Sequence, residues 1–343
     1  MTRIVEYEEK YREQWSDYID RSKISTIAHQ IGWLDVMRKG LNHRPEYLMA
    51  LKDDKMTGVL PLVLLKTIWG TKYLISLPWI DYGGVCADDI ETERMLLAKA
   101  SEMARDEGAR FMELRSVEPG KNDLQVRDDK VTFLLNLEEG PDAIFKGFNS
   151  KLRNQIRKAQ KSELKVEFGH EESLPEFYKI FSWKMHNLGT PVWGISLFKT
   201  IFKSFPESAR IILVKKDGQP VAGGLVLAFK DRLYVPSAAA YASALKYCPN
   251  HALYWEAIIK GCEEKCRYFD FGRSRVGSNT FKFKQQWVSA PTTLSWQYHL
   301  VRVDKLPSIN PSNPKYSLFI KLWKMLPLSV ANFLGPKIIR NFP

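Results

Sequence analysis

The chain reads as a duplicated α+β protein, and three observations in its 343 residues carry that reading. A strand–turn–strand pattern occurs twice: Leu51-Lys52-Asp53-Asp54-Lys55-Met56-Thr57-Gly58-Val59, and Val214-Lys215-Lys216-Asp217-Gly218-Gln219-Pro220-Val221-Ala222. Each copy runs on in the same order, through a further strand (Lys72 to Leu77; Arg232 to Ala239) and a helix (Glu91 to Glu107; His251 to Lys265). Each then closes with a strand that begins with Phe and ends in Arg-Ser, Phe111 to Ser116 and Phe269 to Ser274. Lys52 and Lys216 stand 164 positions apart and Arg115 and Arg273 stand 158 apart, so order and spacing repeat together. Asp-Gly and Asp-Asp are hairpin turn chemistry, and a strand–helix–strand return implies a mixed sheet covered by helices in each half.

The expected boundaries are a first domain over 1–140, a second over 141–303 that opens on the basic segment described below, and a tail over 304–343. With 45% hydrophobic and 12% aromatic residues the chain buries substantial cores, which excludes disorder as its main state. Four cysteines are too few for a disulfide framework, and six scattered His show no metal-ligand spacing, so no metal is expected. Cys262 and Cys266, at i and i+4, read as buried thiols. The charged start, Met1 to Trp15, has no apolar signal core, and no apolar run approaches the ~18 residues of a membrane span. A cytoplasmic setting is expected.

The net charge of +12 resolves into two patches. Between Lys146 and Lys165 there are seven basic residues and one acid, and from Arg302 to the end there are again seven and one, so each patch carries +6. At about 100° per residue Lys151, Arg153, Arg157, Lys158 and Lys161 share one side of a helix while Leu152, Ile156 and Ala159 share the other. A solvated face is the plain reading of such a run. The near absence of compensating acids favours an anion-binding face, with Arg153 and Arg157 as bidentate partners for a nucleotide, tRNA or lipid phosphate. The C-terminal segment from Lys315 is apolar over more than half its wheel, with Pro327 ending a helix. It either docks on its own domain or lies against the inner face of the plasma membrane as a peripheral contact, and the sequence does not separate the two.

Duplication predicts a cleft between the halves that receives an elongated ligand. Its expected lining is Arg115, Arg273 and Ser274 at the strand ends, Asp81 and Tyr82 in the loop Leu77 to Gly84, and the basic segment Arg273 to Trp287. The plain alternative for that segment is a surface loop and an edge strand with alternating lysines. Tyr241, Asn250, His251, Tyr254 and Trp255 surround the start of the second half's helix, where N–H groups and phenols suit a phosphate or carboxylate. Capping of that helix by Asn250 is the simpler role. His186, beside a Gly-Thr-Pro turn, reads as a cap or core contact.

The hairpin pair, Lys151-Leu152-Arg153-Asn154-Gln155-Ile156-Arg157-Lys158-Ala159, Leu188-Gly189-Thr190-Pro191, Phe269-Asp270-Phe271-Gly272-Arg273-Ser274 and Phe283-Lys284-Gln285-Gln286-Trp287 together resemble the Fem (FemABX) peptidyltransferases of peptidoglycan interpeptide bridges. The resemblance is nearer still to FemAB-like proteins associated with exosortase and exopolysaccharide gene clusters. It spans roughly Trp33 to Pro336 and is most specific at Asp-Phe-Gly-Arg-Ser and Phe-Lys-x-x-Trp. It implies two tandem GNAT-like (acyl-CoA N-acyltransferase-like) domains. It also implies transfer of an aminoacyl or acyl group, from aminoacyl-tRNA or acyl-CoA, to an amine of a lipid-linked or nucleotide-linked precursor. By the same resemblance Phe283 and Lys284 are the family's Phe-Lys pair, where the lysine helps hold the donor and steadies developing charge.

Such transfer needs a neutral amine, an electrophilic ester or thioester, and donors for the oxyanion. No Gly-x-Ser-x-Gly elbow and no flanked Cys nucleophile occurs, so a direct ternary complex is expected, with no bound cofactor. Lys284 is the leading candidate for charge stabilisation. Asp270 either accepts the amine proton or holds Arg273 in place. Val221-Ala222-Gly223-Gly224-Leu225 is a strand and not a pyrophosphate loop, which argues against CoA as donor without excluding it. The competing reading is a non-catalytic module with a degenerate transferase fold that binds an anionic lipid or polymer. A third, an RNA-binding protein without transfer activity, lacks any RNP, KH or cold-shock signature.

Overall fold

Both hairpins of the repeat form, and both turn on two residues with positive φ. Leu48–Lys52 and Lys55–Leu60 are joined by Asp53 (φ 49°) and Asp54 (φ 60°). Ala209–Lys216 and Gln219–Phe229 are joined by Asp217 (φ 51°) and Gly218 (φ 75°). Two consecutive left-handed residues match the right-handed twist of the strands they connect. The structure, a computed structural model, describes residues 1–118, 120, 122–306 and 314–342.

The crossover units are present in both halves. Lys72–Ile75 pairs in parallel with Phe111–Ser116 across helix Ile90–Asp106. Arg232–Ala240 pairs in parallel with Tyr268–Asp270 across helix Pro249–Glu263. Parallel neighbours need a crossover of a dozen residues or more, which is what each helix supplies.

The chain divides into two compact units, and the expected boundaries are corrected. One unit comprises Met1–Lys130, Thr293–Ile309 and Arg340–Pro343; the other comprises Val131–Thr292 and Asn310–Ile339. Strand Thr292–Leu300, expected in the second domain, hydrogen-bonds antiparallel to Phe111–Ser116, with Ser295 opposite Ser116 and Leu300 opposite Phe111. The second unit begins before 141 because Leu134–Asn136 pairs antiparallel with Tyr268–Asp270. The tail is no separate domain, since helices Pro314–Met325 and Leu328–Ile339 pack on helix Leu174–Leu188 of the second unit.

In the first unit one sheet runs Thr2–Glu6, Leu48–Lys52, Lys55–Leu60, Cys86–Ala87, and a second continues from Val63–Lys66 through Lys72–Ile75 and Phe111–Ser116 to Thr292–Leu300. Leu48, Leu60, Leu74, Leu96, Met112 and Leu114 form the core between sheet and helix. In the second unit six strands lie in the order Leu134–Asn136, Tyr268–Asp270, Arg232–Ala240, Gln219–Phe229, Ala209–Lys216, Lys165–Gly169. The basic segment is helical over Ser150–Lys161, with Asn149 accepting from the Leu152 N–H at 2.9 Å as its cap. Leu152 and Ile156 are fully buried, each contributing roughly 1.5–3 kcal/mol.

Candidate active site

In the second unit two strands separate where the distinctive motif begins. The parallel register runs from Arg232 opposite Tyr268 to Tyr234 opposite Asp270, whereas the first of these strands continues to Ala240. Past that point it continues through Val235, Pro236, Ser237, Ala238, Ala239 and Ala240, mostly small side chains. A register shift between Leu225 and Leu227 bends the neighbouring strand at the same level.

Asp270 ends the shorter strand and is fully buried. Its Oδ1 accepts from the Thr132 hydroxyl at 2.7 Å and from the Gly272 N–H at 2.8 Å. Gly272 has φ 71°, a conformation that costs an L-residue with a side chain about 1–2 kcal/mol. The turn presents the carbonyls of Gly272 and Arg273 to one side, and the Lys284 ammonium donates to both, at 2.8 and 3.0 Å. Lys284 is only 7% exposed. The plain alternative of an exposed lysine on an edge strand does not hold: Lys284 ends helix Asn279–Lys284, capped by the Ser278 hydroxyl, which accepts from the Phe281 N–H at 3.1 Å.

An aromatic nest surrounds this turn. Tyr254 stacks on Phe271 with centroids 5.3 Å apart, and Phe283 and Trp287 close in from the lysine's own segment, 5.4 and 6.1 Å from Tyr254. His251 lies 5.3 Å from Phe283 and 6.0 Å from Trp287, nearly parallel to the latter. Burial pushes the His251 imidazole down to about 4 and the Tyr254 phenol up, so both are neutral near pH 7. Both His251 ring nitrogens, Trp287 Nε1, Ser274 Oγ and Arg153 Nε are buried with no hydrogen-bond partner among the described residues. Buried polar groups are nearly always satisfied, so these atoms keep hydrogen-bonding capacity that the described residues do not use. His251, expected at a helix start suited to a phosphate or carboxylate, and Trp287, expected at the end of the lining segment, thus meet in one nest.

The other expected site residues fall in three groups. Arg273 is half-buried and Ser274 buried in the same turn, and Phe283 is partly buried in the nest. Arg153 and Arg157 lie on the basic helix, where Arg153 Nη1 donates to the Lys146 carbonyl at 3.4 Å and Arg157 sits 5.4 Å from the Phe145 ring. That helix packs against the start of helix Pro249–Glu263: the Cys248 thiol donates to Gln155 Oε1 at 2.7 Å. Asn250 is no cap; with Pro249 in the first turn, Cys248 (φ 58°) holds the cap position. Tyr241 is half-buried, edge-on to Trp183 at 5.0 Å.

Arg115, Asp81 and Tyr82 belong to the first unit and are buried. Arg115, expected to bind substrate, is held by partners within its own unit. Its Nε donates to Glu113 Oε1 at 2.8 Å, its Nη1 to the Ile80 carbonyl at 2.9 Å and the Leu77 carbonyl at 3.3 Å, and it lies 4.4 Å from the Trp296 ring centroid. It therefore braces the loop from Leu77 (φ 54°) to Gly83 (φ 149°), in which Asp81 and Tyr82 are held. His186, as expected, is a structural contact, its Nε2 donating to the Leu326 carbonyl at 2.9 Å. Among the described residues no three His, Cys, Asp or Glu side chains converge as metal ligands.

Residues 146–284, from the start of the basic helix's approach to Lys284, match the family model of the acetyltransferase (GNAT) domain. No curated protein matches the chain. Among solved structures, a crystal structure of FemX is similar at 14% identity and a TM-score of 0.67, covering 93% of this chain and all (100%) of that one. A tandem GNAT protein from the clavulanic acid biosynthesis pathway is similar at 11% identity and TM-score 0.54, covering 89% of this chain and 100% of that one. The C-terminal domain of a putative lysylphosphatidylglycerol synthetase from Agrobacterium fabrum follows at 12% identity and TM-score 0.56, covering 84% and 91%. The chain thus carries a GNAT acyltransferase-type domain in an α+β fold shared with tandem GNAT proteins, consistent with the FemABX-like resemblance of its motifs.

Proposed function

We propose that the chain is an acyl- or aminoacyltransferase that acylates an amine of a cell-envelope precursor, a muropeptide or a lipid-linked sugar of an exopolysaccharide, at the cytoplasmic membrane face. The observation that carries this reading is Lys284: a buried ammonium fixed by two peptide carbonyls, within a GNAT domain, where two sheet strands separate. A neutral amine attacks the donor carbonyl, a C–N bond forms, and the oxyanion is stabilised by positive charge already in position. Collapse breaks the donor's C–O bond (aminoacyl-tRNA) or C–S bond (acyl-CoA), and the leaving oxygen or sulfur takes the proton that the nitrogen gives up. Asp270 is a positioning residue here, since its Oδ1 holds the Gly272 peptide that presents a carbonyl to Lys284. Positioning two substrates in line supplies most of the rate in such a mechanism.

The donor's phosphates are assigned to the basic helix and the adjoining start of helix Pro249–Glu263. Arg153, Arg157 and Lys158 bring positive charge there, and a helix N-terminus favours anions. Arg273 and Ser274 hold the substrate portion beside Lys284, and the nest of His251, Tyr254, Phe283 and Trp287 receives its less polar part.

The purified chain, incubated in parallel with charged tRNA and with acyl-CoA and an amino-sugar or muropeptide acceptor, tests the reading by mass spectrometry of the acceptor. Consumption of one donor dependent on Lys284 supports it. Consumption of neither, together with unchanged envelope polymer in cells carrying Lys284→Ala, overturns it.

A further inference from the structure

The two C-terminal helices face the protein with one side and turn an apolar stripe away from it. Trp323 is buried, Ile320 packs at Gly189, Gly335 abuts the backbone of Val192, and the His186 bond to Leu326 ties the connection down. On the opposite side of Pro314–Met325, Leu318 (59% exposed), Leu322 (56%) and Met325 (79%) follow at i, i+4 and i+7. On Leu328–Ile339, Val330 and Phe333 (65% exposed) continue the pattern, with the Lys337 ammonium 4.0 Å from the Phe333 ring. Lys321, Lys324 and Lys337 are exposed beside these side chains. From 314 to 342 the sequence contains five basic residues and no acid.

We infer that this helical hairpin is an interfacial membrane anchor that lays Leu318, Leu322, Met325 and Phe333 into an anionic bilayer surface. A self-docked helix buries its apolar face and leaves its polar face outside; here large apolar side chains point outward although the inner side is already packed. A second copy of the chain is disfavoured as the occupant because a symmetric contact sets the exposed Lys321, Lys324 and Lys337 of one copy against those of the other. An anionic bilayer offers both what the stripe and what its flanking lysines require, hydrocarbon and phosphate. No helix among the described residues is long and apolar enough to cross a membrane, so the contact is in the plane of the interface. This proposal does not rest on the transferase reading, since vesicle binding is measured with no donor or acceptor present.

The test is co-sedimentation of the full chain with vesicles of phosphatidylcholine alone or with about 30% phosphatidylglycerol, at low and high salt. The chain is expected to partition onto the anionic vesicles at least about tenfold more strongly and to release as salt rises. Leu322→Glu with Phe333→Glu is expected to lower partitioning by more than about tenfold, with the melting temperature unchanged because both side chains are exposed. Phe333→Trp serves as a second reporter: its added fluorescence is expected to shift to the blue and to be quenched by brominated lipid. Equal pelleting with both vesicle types, unaltered partitioning of the double variant, or a lipid-independent dimer that Leu322→Glu dissociates would each overturn the inference.

Discussion

Replacing Lys284 by Met separates catalysis from packing, because the side chain keeps its length and apolar stem and loses only the charge. The two bonds to Gly272 and Arg273 are charge-assisted, at 2.8 and 3.0 Å, and each is worth about 1.5–3 kcal/mol. Against this loss stands the cost of holding an ammonium in a site 7% exposed, several kcal/mol for a buried ion. The two nearly offset, so the net change in stability is expected within about 2 kcal/mol, a fall of at most about 8 °C in the melting temperature for a unit of this size. The rate has no such offset. Loss of one preorganised oxyanion partner costs about 2.7–4 kcal/mol, or 10²–10³-fold in kcat, with donor KM changed much less. Single-turnover acyl transfer and differential scanning calorimetry on the same preparation read both quantities. A variant that melts lower yet transfers at the wild-type rate would show the lysine to be a turn lock and nothing more, and the mechanism above would fall.

Burial holds His43 and His251 down to about 4, with the Arg340 charge adding to the effect at His43. Because the folded values lie below the unfolded value near 6.5, stability is unaffected above pH 6.5 and is lost as pH falls from there towards 4, by about 2 kcal/mol per histidine at pH 5. His251→Phe should remove one histidine's share of the drop in urea midpoint between pH 7.5 and 5; an identical drop in both proteins refutes the assignment. Arg115→Met leaves the buried Glu113 carboxylate without its nearest cation, at a cost of about 3–5 kcal/mol, and adding Glu113→Met should recover much of it in a double-mutant cycle by urea unfolding. Burial raises the thiols of Cys248, Cys262 and Cys266, so iodoacetamide at pH 7.5 should label them far more slowly in the native protein than in urea, and fast native labelling would contradict the packing.

The duplication was legible because its signals are local. Asp53-Asp54 and Asp217-Gly218 prescribe tight turns whatever surrounds them, and the helices and closing strands follow from short-range periodicity. What failed was long-range. Thr292–Leu300 alternates like a strand, but nothing in its nine residues says that its partner is Phe111–Ser116. The boundary at 140 missed for the same reason, since the strand Leu134–Asn136 is claimed by Tyr268–Asp270 far along the chain. Asn250 reads as a cap by residue type, although Pro249 beside it prefers the first helical position, a cue that places the cap at Cys248.

At the site, residue types were readable and their environments were not. The alternating lysines 282 and 284 suggest an exposed strand, yet Ser278 supplies a helix cap and Phe281, Phe283 and Trp287 supply an apolar side that packs into the nest, which draws Lys284 inward. A buried ammonium then needs acceptors, and the turn at Gly272, with its positive φ, offers it two successive carbonyls. Asp270 fixes that turn through the Gly272 N–H, and Phe271 within it lies 5.8 Å from Trp287. Asp-Phe-Gly-Arg-Ser and Phe-Lys-x-x-Trp are therefore two halves of one device: the first builds the acceptor for the lysine that the second delivers. Neither half places a charge by itself, so Gly272→Ala, which touches no proposed substrate contact, belongs mechanistically with Lys284→Met and not with substitutions that merely loosen the fold.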